Sequence, residues 1–158
     1  MPTKEPPATH FTNQLKPKEF TKESTAMPKQ KILVVDDDAN LVQALRLRLL
    51  ANNFDIAVAC DGYAAIATAQ KERPDLIILD LGLPAGDGFV VLDRLRHRAN
   101  LAGVPVIVLS ARDPETSEER ALMAGATAYF QKPADNDELL QVIRVSLPPT
   151  ATAQTTMA

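Results

Sequence analysis

The chain has 158 residues, 46% of them hydrophobic and 23% charged, which suits one globular domain with a proper core and leaves little for a second. A net charge of −3 supplies no basic footprint for direct nucleic-acid binding, and the single cysteine, Cys60, excludes an internal disulfide and CxxC-type metal sites. No apolar run approaches the ~20 residues that span a bilayer, and the N-terminus lacks a signal peptide's hydrophobic segment, so the expectation is a cytoplasmic protein with no membrane insertion.

Residues 1–28 carry five prolines and scattered Lys and Glu without a hydrophobic period, the pattern of a disordered extension. A region of regular structure is expected over 29–148. Ile32-Leu-Val-Val35 reads as a first buried strand that breaks into Asp36-Asp37-Asp38. Asp38 is placed to cap a helix over 39–52, whose Leu41, Leu45 and Leu49 share one face. A second strand is expected from Phe54 to Cys60, turning at Asp61-Gly62, and a helix over 63–72 stops before Pro74. Leu76-Ile-Ile-Leu79 is all apolar and rich in β-branched residues, the mark of a strand buried on both faces of a parallel sheet; it delivers Asp80 to a loop rich in glycine. Asp87-Gly88 opens a third helix with Phe89, Leu92 and Leu95 inward and Arg94, Arg96 and Arg98 outward. Pro105 to Leu109 is a fourth strand ending at Ser110, and Pro114 suits the first turn of a fourth helix running to Gly125. Ala128 to Gln131 is a short fifth strand ending at Lys132-Pro133, and Asp135 caps a fifth helix carrying Leu139, Leu140 and Ile143. Residues 149–158, rich in Thr and Ala, form a second disordered tail.

Five strand–helix units imply an α/β fold, a doubly wound parallel sheet with helices on both faces and right-handed crossovers. For five strands in about 120 residues the flavodoxin-like order 2-1-3-4-5 fits best. Polar residues then follow four of the five strands: Asp36 and Asp37, Asp80, Ser110, and Lys132. In that strand order they gather in one crevice at the carboxyl edge, where open α/β sheets bind their ligands. Two carboxylates about 5 Å apart at an effective dielectric of ~20 repel by roughly 3 kcal/mol, so three need relief. A raised pKa is one route; a hard divalent cation with oxygen ligands, Mg²⁺ or Mn²⁺, is the other. A cation that keeps waters suits a phosphate, for which Lys132 offers a point charge and Ser110 a donor. Asp80 is the expected nucleophile.

Four segments, Ile-Leu-Val-Val-Asp36-Asp37-Asp38, Asp80-x-x-Leu-Pro84-x-x-Asp87-Gly88, Val-Leu-Ser110-Ala111 and Gly125-Ala-x-x-Tyr129-x-x-Lys132-Pro133, resemble the receiver domain of two-component response regulators over residues 29–148. The resemblance implies that Asp80 accepts a phosphoryl group. It also implies that Asp37, Asp80 and the backbone carbonyl of Gly82 ligate Mg²⁺, with Asp36 acting through a water. Ser110 and Lys132 would bind the phosphoryl group, the Lys132-Pro133 peptide would be cis, and Tyr129 would be the aromatic switch. On phosphorylation Ser110 would swing toward the phosphoryl group and Tyr129 would turn inward, remodelling the face made by the fourth helix, fifth strand and fifth helix. Gly82 and Arg112 would flank the path of the hydrolytic water, with Arg112 the candidate to cover one side. The implied partners are a sensor histidine kinase or histidine phosphotransfer protein and a downstream protein target. The protein would catalyse its own phosphorylation and dephosphorylation without being a turnover enzyme.

The chain departs from the family pattern in three places. Gly86 replaces an apolar residue, so its loop is expected to be more mobile; Ala134 replaces a Phe that often follows Lys-Pro. Thr127-Ala128 stands where transcription factors of the family often have two aspartates for inter-subunit salt bridges. The leading reading is a stand-alone phosphoacceptor switch. Its alternatives are the receiver half of a transcriptional regulator whose DNA-binding domain lies outside this chain, and a haloacid-dehalogenase-type phosphatase. The latter class wants an Asp where Gly82 stands. No Gly-x-Gly-x-x-Gly follows the first strand, which disfavours a Rossmann nucleotide site.

Overall fold

Each strand ends within a residue or two of the same edge of one sheet. The computed structural model describes residues 28–84 and 87–149. The expectations placed on residues 1–27, on 150–158 and on Gly86 lie outside the described residues. The five strands are β1 (Lys31–Val35), β2 (Asp55–Ala59), β3 (Leu76–Leu79), β4 (Val106–Ser110) and β5 (Ala128–Gln131). They pair in parallel in the order β2-β1-β3-β4-β5, the flavodoxin-like order expected from the sequence.

The helices are α1 (Ala39–Ala51), α2 (Gly62–Glu72), α3 (Gly88–Arg96), α4 (Pro114–Met123) and α5 (Asn136–Ser146). Boundaries differ from the sequence expectation by a residue or two, and the differences have local causes. Asn52 closes α1 rather than continuing it, its amide donating back to Arg48 and Leu49 carbonyls. Phe54 and Cys60 fall outside β2, which is the sheet's edge and pairs only with β1 over Asp55–Ala59. Gly62 belongs to α2 because Asp61 caps it. The fourth strand keeps Ser110, paired with Gln131, and loses Pro105, which has no amide to donate. Finally α4 ends at Met123, two residues before Gly125, whose φ of +112° lies in the left-handed region that stops a helix.

The period-2 alternation of the strands divides the core into two layers. Leu33, Val35, Ile77, Leu79 and Val108 face α2, α3 and α4, meeting Ala65, Ile66, Phe89, Leu92, Leu95 and Ala121. Ile32, Val34, Ile78 and Ile107 face α1 and α5, meeting Leu45, Leu49, Leu139, Leu140 and Ile143. The three central strands are buried on both faces, which is why their sequences are unbroken apolar runs, whereas β2 and β5 at the edges are only half-buried. A fully buried Leu or Ile contributes about 1.5–3 kcal/mol, so this core is ample to hold charges at its rim.

One packing detail reaches directly into the carboxyl edge. The amide of Gly88 donates to the Leu81 carbonyl at 3.0 Å, which draws the start of α3 onto the chain just past β3. A Cβ at residue 88 would lie 2.5 Å from the Leu81 Cα and 2.6 Å from the Asp80 carbonyl oxygen, both rigid backbone atoms. Gly88→Ala is therefore expected to lower folding stability by about 1–3 kcal/mol, measured by urea unfolding, because the backbone behind Asp80 must move to admit a methyl group.

Candidate functional site

Strand register assembles the acidic group. Val35 pairs with Leu79, and the pairing is continued by the Asp80 amide donating to the Val35 carbonyl at 3.0 Å and the Asp36 amide to Ala59 at 3.1 Å. Asp36 and Asp80 therefore leave adjacent strands at the same level. On the other side the Lys132 amide donates to the Ser110 carbonyl at 2.8 Å, which ties the end of β5 to the end of β4.

Carboxylate oxygens of Asp36, Asp37 and Asp80 all lie within 4.8 Å of one another. Asp36 and Asp80 are buried and Asp37 is exposed, so the group opens to solvent on one side. The Lys132 ammonium sits 2.7 Å from Asp36 Oδ2 and 3.5 Å from Asp80 Oδ2, facing three carboxylates. The remaining oxygens are also engaged: Asp36 Oδ1 accepts from the Asp38 amide at 2.9 Å, and Asp80 Oδ1 from the Gly82 amide at 3.2 Å. Burial pushes the Asp36 carboxyl above the usual range, and its bond to Lys132 offsets only part of this. Burial alone would lower the Lys132 ammonium, but the Asp36 hydrogen bond and the two carboxylate charges raise it on balance. The two shifts have different causes: burial dominates at Asp36, whereas the neighbouring carboxylates outweigh burial at Lys132.

The other sequence-predicted residues lie around this group. Ser110 is fully buried, and its hydroxyl accepts from the Arg112 amide at 3.2 Å. The Lys132-Pro133 peptide is cis. Gly82 is exposed beside Asp80, and a Cβ there would rest 3.9 Å from Asp80 Oδ1. Tyr129 is half-buried against the α2–α4 layer, and its hydroxyl donates to the Arg112 carbonyl at 2.8 Å. The Arg112 guanidinium lies beside the start of α3, 3.8 Å from Asp87 Oδ2 and 5.8 Å over the Phe89 ring.

Sequence reading alone did not single out Asp113 as the cap of α4. It accepts from the Glu115 amide at 3.0 Å, as Asp38, Asp61, Asp87 and Asp135 cap the other four helices. The signal was present, since Asp-Pro at Asp113-Pro114 is a regular cap and first-turn pair. Sequence reading also missed Gly88's contact with the Asp80 backbone, for which spacing carries no signal.

A crevice of carboxylates, a lysine and a buried hydroxyl at the carboxyl edge of a 2-1-3-4-5 sheet matches known proteins. The chain belongs to the response regulator receiver domain family, the receivers of two-component systems, whose sequence pattern matches residues 32–144. It is 40% identical over 116 residues to the transcriptional regulatory protein KdpE of Mycobacterium tuberculosis, covering 73% of this chain and 50% of that one. The chain thus spans about half the length of the curated relatives it matches. Among solved structures it is similar to the chemotaxis response regulator CheY4 of Vibrio cholerae, with a TM-score of 0.70 and 30% identity over 76% of this chain and 100% of that one. It is also similar to the receiver domain of the sensor histidine kinase PA1611 of Pseudomonas aeruginosa, at a TM-score of 0.70 and 28% identity over 75% of this chain and 98% of that one. That structure has a magnesium ion coordinated in its active site cleft. Among the described residues, no helix is long and apolar enough to cross a membrane.

Two measurements probe the charge surplus. Mg²⁺ at about 100 times its Kd is expected to stabilise the fold by about 2.7 kcal/mol, read as a rise in Tm against EDTA, and Asp37→Asn should remove most of the rise. The second concerns Lys132, whose folded pKa is raised. Its contribution to stability is fully present below the ordinary lysine value of about 10.4 and is lost as pH rises through the higher folded value. The stability gap between wild type and Lys132→Met is therefore expected to be flat at neutral pH and to close above that range, followed by urea unfolding across the alkaline limb.

Proposed function

We propose that this receiver is a phosphoacceptor switch in which Asp80 takes a phosphoryl group from the phosphohistidine of a sensor histidine kinase or a histidine phosphotransfer protein. The observation that carries this reading is the Lys132 ammonium, 2.7 Å from Asp36 and 3.5 Å from Asp80, beside three clustered carboxylates. Such a group attracts a divalent cation and then a phosphate, and offers a carboxylate oxygen beside a fixed positive charge.

The donor set is all hard oxygen and open on the Asp37 side, which fits Mg²⁺ or Mn²⁺. Asp37, Asp80 and the Gly82 carbonyl would hold the ion, with Asp36 acting through a water. When bound, it supplies positive charge against the phosphoryl oxygens. In the transfer an Asp80 oxygen forms the new O–P bond as the P–N bond of phosphohistidine breaks; the imidazole leaves with that electron pair and is protonated from solvent. Lys132 pairs with a phosphoryl oxygen, and the Ser110 hydroxyl, released from the Arg112 amide, donates to another. Tyr129 carries the change to the α4–β5–α5 face, where a downstream protein binds. Hydrolysis regenerates the carboxylate, so the protein resets itself without acting as a turnover enzyme.

A second reading is favoured by one observation: the relative KdpE is a transcriptional regulatory protein twice as long as the matched region. The same phosphoacceptor would then control a DNA-binding domain outside this chain. The complete reading frame separates the two outputs and leaves the chemistry unchanged.

Acetyl phosphate with Mg²⁺ is expected to add the mass of one phosphoryl group to the intact protein. Asp80→Asn, which keeps the shape and removes the nucleophile, should abolish the adduct. An undiminished adduct in Asp80→Asn would falsify the assignment.

A further inference from the structure

Arg112 has its backbone in one network and its side chain in another. Its amide donates to the Ser110 hydroxyl at 3.2 Å, and its carbonyl accepts from the Tyr129 hydroxyl at 2.8 Å. A single residue therefore holds both groups assigned to the switch. Its guanidinium crosses to the start of α3, 3.8 Å from Asp87 Oδ2 and 5.8 Å from the centre of the Phe89 ring. The same ring takes a second cation, since Arg120 of α4 lies 3.7 Å over it. Phe89 is only 7% exposed and belongs to the core, so both arginines grip a fixed object.

We propose that Arg112 is a positioning residue that couples the start of α3 to the Ser110–Tyr129 pair, so that movement on either side of the crevice is felt on the other. The exposed ion pair with Asp87 is weak by itself. Its effect comes from convergence: a cation over an aromatic face, a carboxylate, and two backbone hydrogen bonds meet in one residue. Ser110 cannot turn toward a phosphoryl group without releasing the Arg112 amide, and a shift of that peptide unit moves the acceptor of the Tyr129 hydroxyl. Through the guanidinium the same shift bears on Asp87, which caps α3 by accepting from the Phe89 amide at 2.9 Å, one residue from the Gly88 contact behind Asp80. This role differs from covering the path of a hydrolytic water. The guanidinium is engaged on the α3 side, with Asp87 and Phe89.

The proposal deepens the phosphoacceptor reading in its consequences, but it is tested first without phosphoryl chemistry. Asp87→Asn is the informative variant, because Asn caps a helix as well as Asp while removing the charge that faces Arg112. In the resting, metal-free full chain, Asp87→Asn is expected to move the NMR signal of the Tyr129 ring. In an Arg112→Ala background the same substitution should leave that signal where Arg112→Ala alone puts it. Equal shifts in both backgrounds would show that Asp87 and Tyr129 are not linked through Arg112 and would overturn the proposal. A second arm uses beryllofluoride with Mg²⁺ as the phosphoryl mimic. Wild type is expected to respond at Tyr129 and at the Gly88–Phe89 amides together, whereas Arg112→Ala should keep the first response and lose at least half of the second. A full response at both places in Arg112→Ala overturns the coupling. Thermal melts of each variant exclude unfolding as the cause. Failure of the wild type to be labelled at Asp80 by acetyl phosphate would instead strike the phosphoacceptor reading and leave the resting-state result standing.

Discussion

The carboxylates of Asp36, Asp37 and Asp80 are held against their mutual repulsion at the end of a sheet whose interior is almost wholly apolar, with Lys132 as the cation bonded into the group. Each pairwise repulsion is of the order of a few kcal/mol at such separations. Such a cost is sustained only because the central strands cannot slide: a register shift of one residue would turn every buried side chain of β1 or β3 to the wrong layer. The core therefore acts as the clamp that keeps the charges together. What the cluster lacks is positive charge, which a hard divalent cation with oxygen ligands would supply.

The sheet's edge also connects the crevice to the α4 side of the molecule. The Lys132 amide, just past β5, donates to the Ser110 carbonyl at the end of β4, and Tyr129 lies three residues before Lys132 within β5. Ser110, Arg112 and Tyr129 form a short chain of contacts that runs from the crevice to the α4 side of the molecule. On the opposite wall, the Gly82 amide donates to Asp80 Oδ1 and the Gly88 amide to the Leu81 carbonyl. The two walls meet at Arg112, Asp87 and Phe89. Backbone groups carry much of this geometry, so conservative side-chain changes at the crevice can preserve its shape while altering its charge.

Aspartate serves two purposes at this edge, and the residue type alone does not separate them. Asp38, Asp61, Asp87, Asp113 and Asp135 each cap a helix, whereas Asp36, Asp37 and Asp80 converge on one another. A capping aspartate is satisfied by amides two or three residues ahead of it. Asp36 and Asp80 each accept one such amide and spend a second oxygen on Lys132, far away in sequence. Asp87 does both in a smaller way, capping α3 with one oxygen and facing Arg112 with the other.

The amino-acid sequence by itself determined the architecture and the identity of the acidic group. Apolar runs of four and five residues, helical stripes and their Asp caps are local patterns, written in consecutive residues. Strand order then followed from the number and spacing of the units, and it brought Asp36, Asp37, Asp80, Ser110 and Lys132 to one place. Element ends were less legible, because Asn52, Pro105 and Gly125 act through hydrogen bonds and dihedral angles that composition does not display. The tertiary structure alone decided the rest: that Lys132 leans on Asp36 more closely than on Asp80, that the Tyr129 hydroxyl reaches the Arg112 carbonyl, that Gly88 abuts the Asp80 backbone, and that Arg112 reaches Asp87 and Phe89. These are distances between residues far apart in the chain, set by how two packed layers settle on the sheet, and no period or spacing in a linear sequence encodes them.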